Sequence, residues 1–146
     1  MSRRSEGIDI EHNPGYKDCG VYKIHLVNSN GSQIEILRFL GKDKEGILQI
    51  GSSKNIETRI KAFRGAMEGK QYHHVEGRRF GLIKSYPSFT RKYENYKIQY
   101  SFKKLQNESQ AKKEEERLLK SYFEKFGEPP PLNNNLPNKD KRKRKR

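Results

Sequence analysis

The chain has a single cysteine, Cys19, no apolar run approaching a membrane span, and far fewer acidic than basic residues. One cysteine forms no internal disulfide and cannot build the cysteine sets of structural zinc sites; it suits a reducing compartment. A spanning helix needs about 20 predominantly apolar residues. Neither such a run nor an apolar secretory segment near Met1 is present. A basic tail without apolar company is a poor anchor on anionic lipid. The expected location is cytoplasmic, associated with the nucleoid through DNA (nuclear in a eukaryote), and no membrane partner is expected.

What is present is positive charge. Lys and Arg number 32 against 18 Asp and Glu, a net charge of +14, and 34% of the chain is charged while 31% is hydrophobic. With 146 residues this allows one domain around one compact core. The last eight residues, Lys139 to Arg146, carry seven positive charges and one negative, yet the rest keeps 25 basic against 17 acidic residues. The body itself is basic, which points to a polyanion.

Residues 1–18 are polar and read as an arm, 19–136 as the domain, and 137–146 as a disordered basic tail. Val21 to Val27 reads as a strand with Tyr22, Ile24 and Leu26 on one face. Asn28-Ser29-Asn30-Gly31 then predicts a hairpin, with a return run from Gln33 to Leu40. Gly41 to Gly46 reads as a charged turn, and Ile47-Leu48-Gln49-Ile50 as a third strand ending at Gly51. Ile56, Ile60, Phe63 and Met67 form one apolar stripe on a helix closing near Gly69. Residues 70–95 show no clean period. Tyr96, Ile98 and Tyr100 alternate as in a strand, and Glu108 to Phe126 reads as a helix stopped by Gly127 and the prolines that follow. The order β-β-β-α-β-α predicts an α/β or α+β domain, a small mixed three-stranded sheet flanked by helices.

The last helix holds Glu114, Glu115 and Glu116 in a row. At about 100° per residue, Ala111, Leu118, Leu119, Tyr122, Phe123 and Phe126 define an apolar arc. Glu115 falls near its middle, with Glu114 and Glu116 roughly 100° to either side. A carboxylate turned toward a core needs a partner, either a basic side chain or a metal ion. Magnesium is commonly held by one or two carboxylates with waters and phosphate oxygens completing its shell.

Gly20-Val21-Tyr22 opens the first strand, and Gln49-Ile50-Gly51 closes the third before Ser52-Ser53-Lys54-Asn55-Ile56-Glu57-Thr58-Arg59. With Glu115 on the late helix and Asn133 in Pro130-Pro131-Leu132-Asn133, these segments resemble the GIY-YIG nuclease family over about residues 20–133. The wide gap between Tyr22 and Gln49 is similar to that of its longer-spaced, restriction-type members. Gln49 stands where the family's second tyrosine is expected, so no proton can leave a phenol there.

The resemblance implies a metal-dependent endonuclease that hydrolyses DNA phosphodiester bonds, of restriction, repair or mobile-element type, with Mg2+ or Mn2+ as cofactor. Glu115 would hold the metal, Arg59 would meet charge building on phosphate oxygens, and Tyr22 would position or deprotonate the attacking water. Lys23, His25 or His74 would assist Tyr22, and Gln49 and Asn133 would support by hydrogen bonds. Lys23, Lys54, Arg64, Arg78 and Arg79, with Lys141 and Arg142 of the tail, are the expected nucleic-acid contacts. Cutting both strands would favour a homodimer on the duplex. Each residue also has a plainer reading: Tyr22 as a strand aromatic, Arg59 as a snorkelling side chain, Asn133 as a turn former. Adjacent His73 and His74 would face opposite ways on a strand and make no metal pair. The alternative function is a binding module that kept the fold and lost the chemistry. A weaker one is RNA binding through stacked aromatics at Tyr93, Tyr96 and Tyr100.

Overall fold

The structure is a computed structural model describing residues 7–12, 15–71 and 73–134. Strand β2 (Gly20–Val27) is the spine, buried on both faces along nearly its whole length. It lies between β5 (Ile47–Ser53) and β6 (Lys97–Lys104). The short β1 (Ile8–Asp9) adds to β6, giving an antiparallel sheet in the order β1-β6-β2-β5. A separate ribbon joins β3 (Ile36–Arg38) to β4 (Gly41–Asp43).

The fold is therefore α+β, and its sheet is four-stranded and antiparallel rather than mixed and three-stranded. Part of the predicted arm belongs to the body. Ile8–Asp9 pairs with Gln99–Tyr100, and Ile10 is buried in the core.

The Asn28–Gly31 signal does turn the chain, with the Asn28 side chain accepting from Asn30 N and Ser32 N. The return run, however, leaves β2 after the Val27–Gln33 bridge and one bond from Ile34 N to Leu26 O. Gly46 O takes the Leu26 N–H instead, and β5 pairs along β2 with a register shift at Ile24/His25. Ile36–Arg38 is left to pair with Gly41–Asp43, which had read as turn. The tip of this ribbon exposes Leu37, Phe39 and Leu40.

Helix α1 (Ile56–Met67) buries the predicted Ile56, Ile60, Phe63 and Met67, and the Asn55 side chain caps it by accepting from Thr58 N. Residues 70–95 hold two helices without a clear sequence period, α2 (Val75–Ile83) and α3 (Pro87–Lys92). On α2, a Cβ at Gly77 or Gly81 would lie 2.6 Å from a carbonyl oxygen of α1, so two glycines one turn apart let the helices touch. Tyr96 and Tyr93 are half-buried and pack around Phe89, and Tyr100 is buried.

Helix α4 (Glu108–Phe126) ends at Gly127, whose φ of 75° forms a left-handed cap. Its face carries Tyr122 and Phe126 against Val21, Ile47 and Ile50, while α1 and α2 cover Tyr22, Ile24 and Leu26 on the other side. Among the described residues no helix is long and apolar enough to cross a membrane.

Candidate active site

Alternation along β2 sends Tyr22 toward α1 and Val21 and Lys23 toward α4. Tyr22 is only 1% exposed and pairs with Gly51 across the strands. A Cβ at Gly51 would stand 2.5 Å from the Tyr22 hydroxyl oxygen, so the absent side chain is what admits the ring. Two pairs along, Gln49 shares this face and donates from Nε2 to the Tyr22 oxygen at 3.4 Å. Its Oε1 is buried with no hydrogen-bond partner among the described residues.

The second tripeptide thus does touch Tyr22, by an amide where a phenol was expected. Arg59, one turn into α1, also acts on the Tyr22 side chain. Burial nonetheless pushes the Tyr22 hydroxyl up to about 12, against the Arg59 charge, with Glu76 and Glu115 adding to the rise. Arg59, Glu76 and Glu115 therefore stand within electrostatic reach of one phenol.

Glu115 reaches the site from α4. Ser52, three residues beyond Gln49 on β5, donates its hydroxyl to Glu115 Oε1 at 2.5 Å. The second carboxylate oxygen accepts no hydrogen bond from the described residues. The helix phase matches the angular expectation in part: Ala111, Tyr122 and Phe126 are buried and Glu116 is exposed, but Glu114 is half-buried like Glu115. Glu114 turns away to Arg117, at 2.9 and 2.6 Å, and to Lys103 at 3.7 Å. The Arg117 hydrogen bonds lead in holding the Glu114 carboxyl below its ordinary value.

No group of three or more His, Cys, Asp or Glu able to hold a metal exists among the described residues. A single partly exposed carboxylate with one open oxygen does suit magnesium, which keeps its waters and draws further oxygens from phosphate.

His74 is not on a strand. It caps α2, Nδ1 accepting from Gly77 N at 3.1 Å, so the neutral ring carries its proton on Nε2. That Nε2 is buried with no partner among the described residues, and Phe63 meets the ring edge-on. Burial first, then the Arg59 charge, lowers His74 to about 4. His73 is exposed.

Glu76, in the first turn of α2, is the neighbour that sequence reasoning missed. Its Oε1 lies 3.5 Å from His74 Nδ1, and it bears on Tyr22. The aperiodic 70–95 stretch gave no helix on which to place it.

Several expected site residues are committed elsewhere. Asn133 touches no reacting group: its Oδ1 accepts from Ile50 N at 2.9 Å and its Nδ2 donates to Ile50 O at 3.0 Å. With Leu132 N bonded to Leu48 O, it covers the free edge of β5 like a further strand. Arg79 anchors that segment, donating to Leu132 O, Asn134 Oδ1 and Pro131 O, which leaves its guanidinium little to offer phosphate.

His25 cannot assist Tyr22. It faces the other side of β2, between Glu45 O at 2.9 Å and Ser101 Oγ at 3.0 Å. Lys23 faces that side too and pairs with Glu45 at 3.4 Å. Lys54 and Arg78 are exposed, Arg64 donates to Glu11 O at 3.3 Å, and Lys141 and Arg142 lie outside the described residues. Comparison with known protein families, with curated proteins and with solved structures gives no match to this chain.

Proposed function

We propose that the chain is a magnesium-dependent endonuclease that hydrolyses phosphodiester bonds of DNA. The observation that carries this reading is that β5 joins a phenol, a guanidinium and a carboxylate: Arg59 of α1 and Glu115 of α4 both act electrostatically on Tyr22 of β2, and Glu115 accepts from Ser52, next to the Gly51 that Tyr22 packs on. In the reaction a water oxygen attacks phosphorus and gives up a proton to solvent, the opposite P–O bond breaks, and the leaving oxygen takes a proton from solvent. Mg2+ on Glu115 would supply Lewis acidity at the scissile phosphate. Arg59 offsets the negative charge growing on the non-bridging oxygens. Tyr22 acts as a neutral phenol: its oxygen accepts from Gln49 beside the Arg59 charge, leaving its own proton to orient the water or a phosphate oxygen. Ser52 fixes one carboxylate oxygen of Glu115 so that the other is presented outward.

The test is supercoiled plasmid incubated with Mg2+ or with chelator. Nicking or linearisation is expected with metal only. Glu115→Gln should abolish cutting while leaving DNA affinity within a few-fold, whereas Glu114→Gln and Glu116→Gln should cut nearly as well as the parent. An inactive Glu114 or Glu116 variant beside an active Glu115→Gln would overturn the assignment. A second reading, a binding module without chemistry, is favoured by Gln49 and by the near-complete burial of Tyr22. Retardation of DNA without any nicking by the parent chain would establish it.

A further inference from the structure

On the face of the sheet away from Tyr22, a cleft of about 500 Å3 opens between α4 and the β4 end of the ribbon. Four lysines line it, Lys23, Lys42, Lys44 and Lys125, with two acids, Asp43 and Glu45. The acids are already matched. Asp43 is 2% exposed, and its oxygens accept from Glu45 N, Ile47 N and the Tyr122 hydroxyl at 2.9, 3.1 and 2.8 Å. Glu45 pairs with Lys23. Lys42, Lys44 and Lys125 have no acidic partner among the described residues, although Lys125 lies over the Phe126 ring.

Three unmatched ammonium groups around one open cleft repel each other, and an anion removes that repulsion. The cleft also has a fixed relation to Glu115. Leu118 of its wall is one turn along α4 from Glu115, and Lys125 is ten residues on, about 15 Å at 1.5 Å per residue. That distance is the axial rise of about four nucleotide steps of one strand.

We infer that this cleft binds the phosphodiester backbone of the nucleic acid a few nucleotides from the bond held at Glu115. The inference rests on the proposed nucleic-acid substrate but not on its hydrolysis. The lysines act as separate point charges that position the strand without reading sequence.

The experiment measures duplex DNA affinity against salt in the presence of chelator, so that no cutting intervenes. The full chain is compared with Lys42→Gln/Lys44→Gln/Lys125→Gln and with a control, Arg91→Gln/Lys92→Gln/Lys97→Gln, on exposed positions of α3 and β6. Each lost phosphate contact reduces the slope of log affinity against log salt by about 0.9. The cleft variant should lose two to three such contacts and the control less than one. Equal losses would reduce the effect to bulk charge and overturn the inference. A parallel arm titrates inorganic phosphate and a mononucleotide. Tight binding of either that the cleft variant lacks would make a free anion the ligand and also overturn it. A parent that binds duplex through the cleft but never cuts sinks the hydrolysis alone; one that binds no duplex sinks both.

Discussion

At Tyr22 the local chemistry restricts the role a phenol can take. Its hydroxyl is pushed up to about 12, so near neutral pH it is protonated and cannot collect a proton from water. What it can do is donate one. Tyr22→Phe keeps the ring that fills the space above Gly51 and removes only the hydroxyl. Plasmid cutting should fall by about 10²–10³, the loss typical of one aimed donor, with the melting midpoint little changed. For the parent, no inflection from Tyr22 should appear between pH 6 and 9. An ionisation in that range that disappears in Tyr22→Phe would restore the phenolate, and full activity of Tyr22→Phe would remove the residue from the chemistry.

His74 carries a separate consequence. Its folded form titrates near 4 against an ordinary 6.5. Above pH 6.5 the ring is neutral folded or unfolded and burial is unopposed; as pH falls from 6.5 toward 4 only the unfolded chain takes the proton, so stability is lost. The loss is about 3 kcal/mol when complete. His74→Asn keeps an acceptor for Gly77 N and should behave like the parent at pH 7 in urea unfolding. Between pH 7 and 4.5 its midpoint should drop by less, with a remainder from His25, which burial also lowers. An equal drop in both proteins would clear His74.

Among the elements, β5 carries Gln49, Gly51 and Ser52, so whatever steadies this edge strand steadies the site. The steadying piece is the segment after α4, held by Asn133 on Ile50 and by Arg79 on residues 131, 132 and 134. Arg79→Met retains the stem and loses the donors. Removing such charged hydrogen bonds costs about 2 kcal/mol, and hydrogen exchange at the Ile50 and Leu132 amides should accelerate before that of the β2 amides. Unchanged exchange at Ile50 would show that the segment stays docked without Arg79.

Helices α1 and α4 were legible because each announces itself locally, whereas α2 and α3 carry no clear period and were missed. Asn55 and the 56–60–63–67 stripe predicted α1, and Gly127 and the apolar arc predicted α4 with the phase that turns Glu115 inward. The partner of β2 was not legible, because strand pairing is a choice between distant segments. Asn28–Gly31 offered a close return run, but the long-range pairing with 47–53 prevailed. Of the proposed site, Tyr22, Arg59 and Glu115 could be named from the sequence, and Glu76 could not. Asn133, Arg79 and His25 were misread because a polar side chain's partner depends on tertiary packing that periodicity does not contain.

For the whole molecule the balance of charge is the dominant property, +14 over 146 residues. Removing Lys139–Arg146 takes away seven of the positive charges. If the tail contacts duplex, the salt slope should become shallower by no more than about six units, at 0.9 per phosphate, while any sequence preference survives. An unchanged slope would show that the tail does not touch DNA. This loss should add to that of the cleft lysines if the two contact different phosphates.

The docking of Leu132 and Asn133 on β5 also bears on how the protein is made. During synthesis β2 and β5 emerge early, but the strand that carries Gln49, Gly51 and Ser52 keeps an open edge until residues 131–134 have left the ribosome. Glu115, on α4, arrives only shortly before them. A nascent chain therefore holds Tyr22 and Arg59 without the carboxylate and without the clamp, and the proposed site is assembled only after almost all of the domain has been translated.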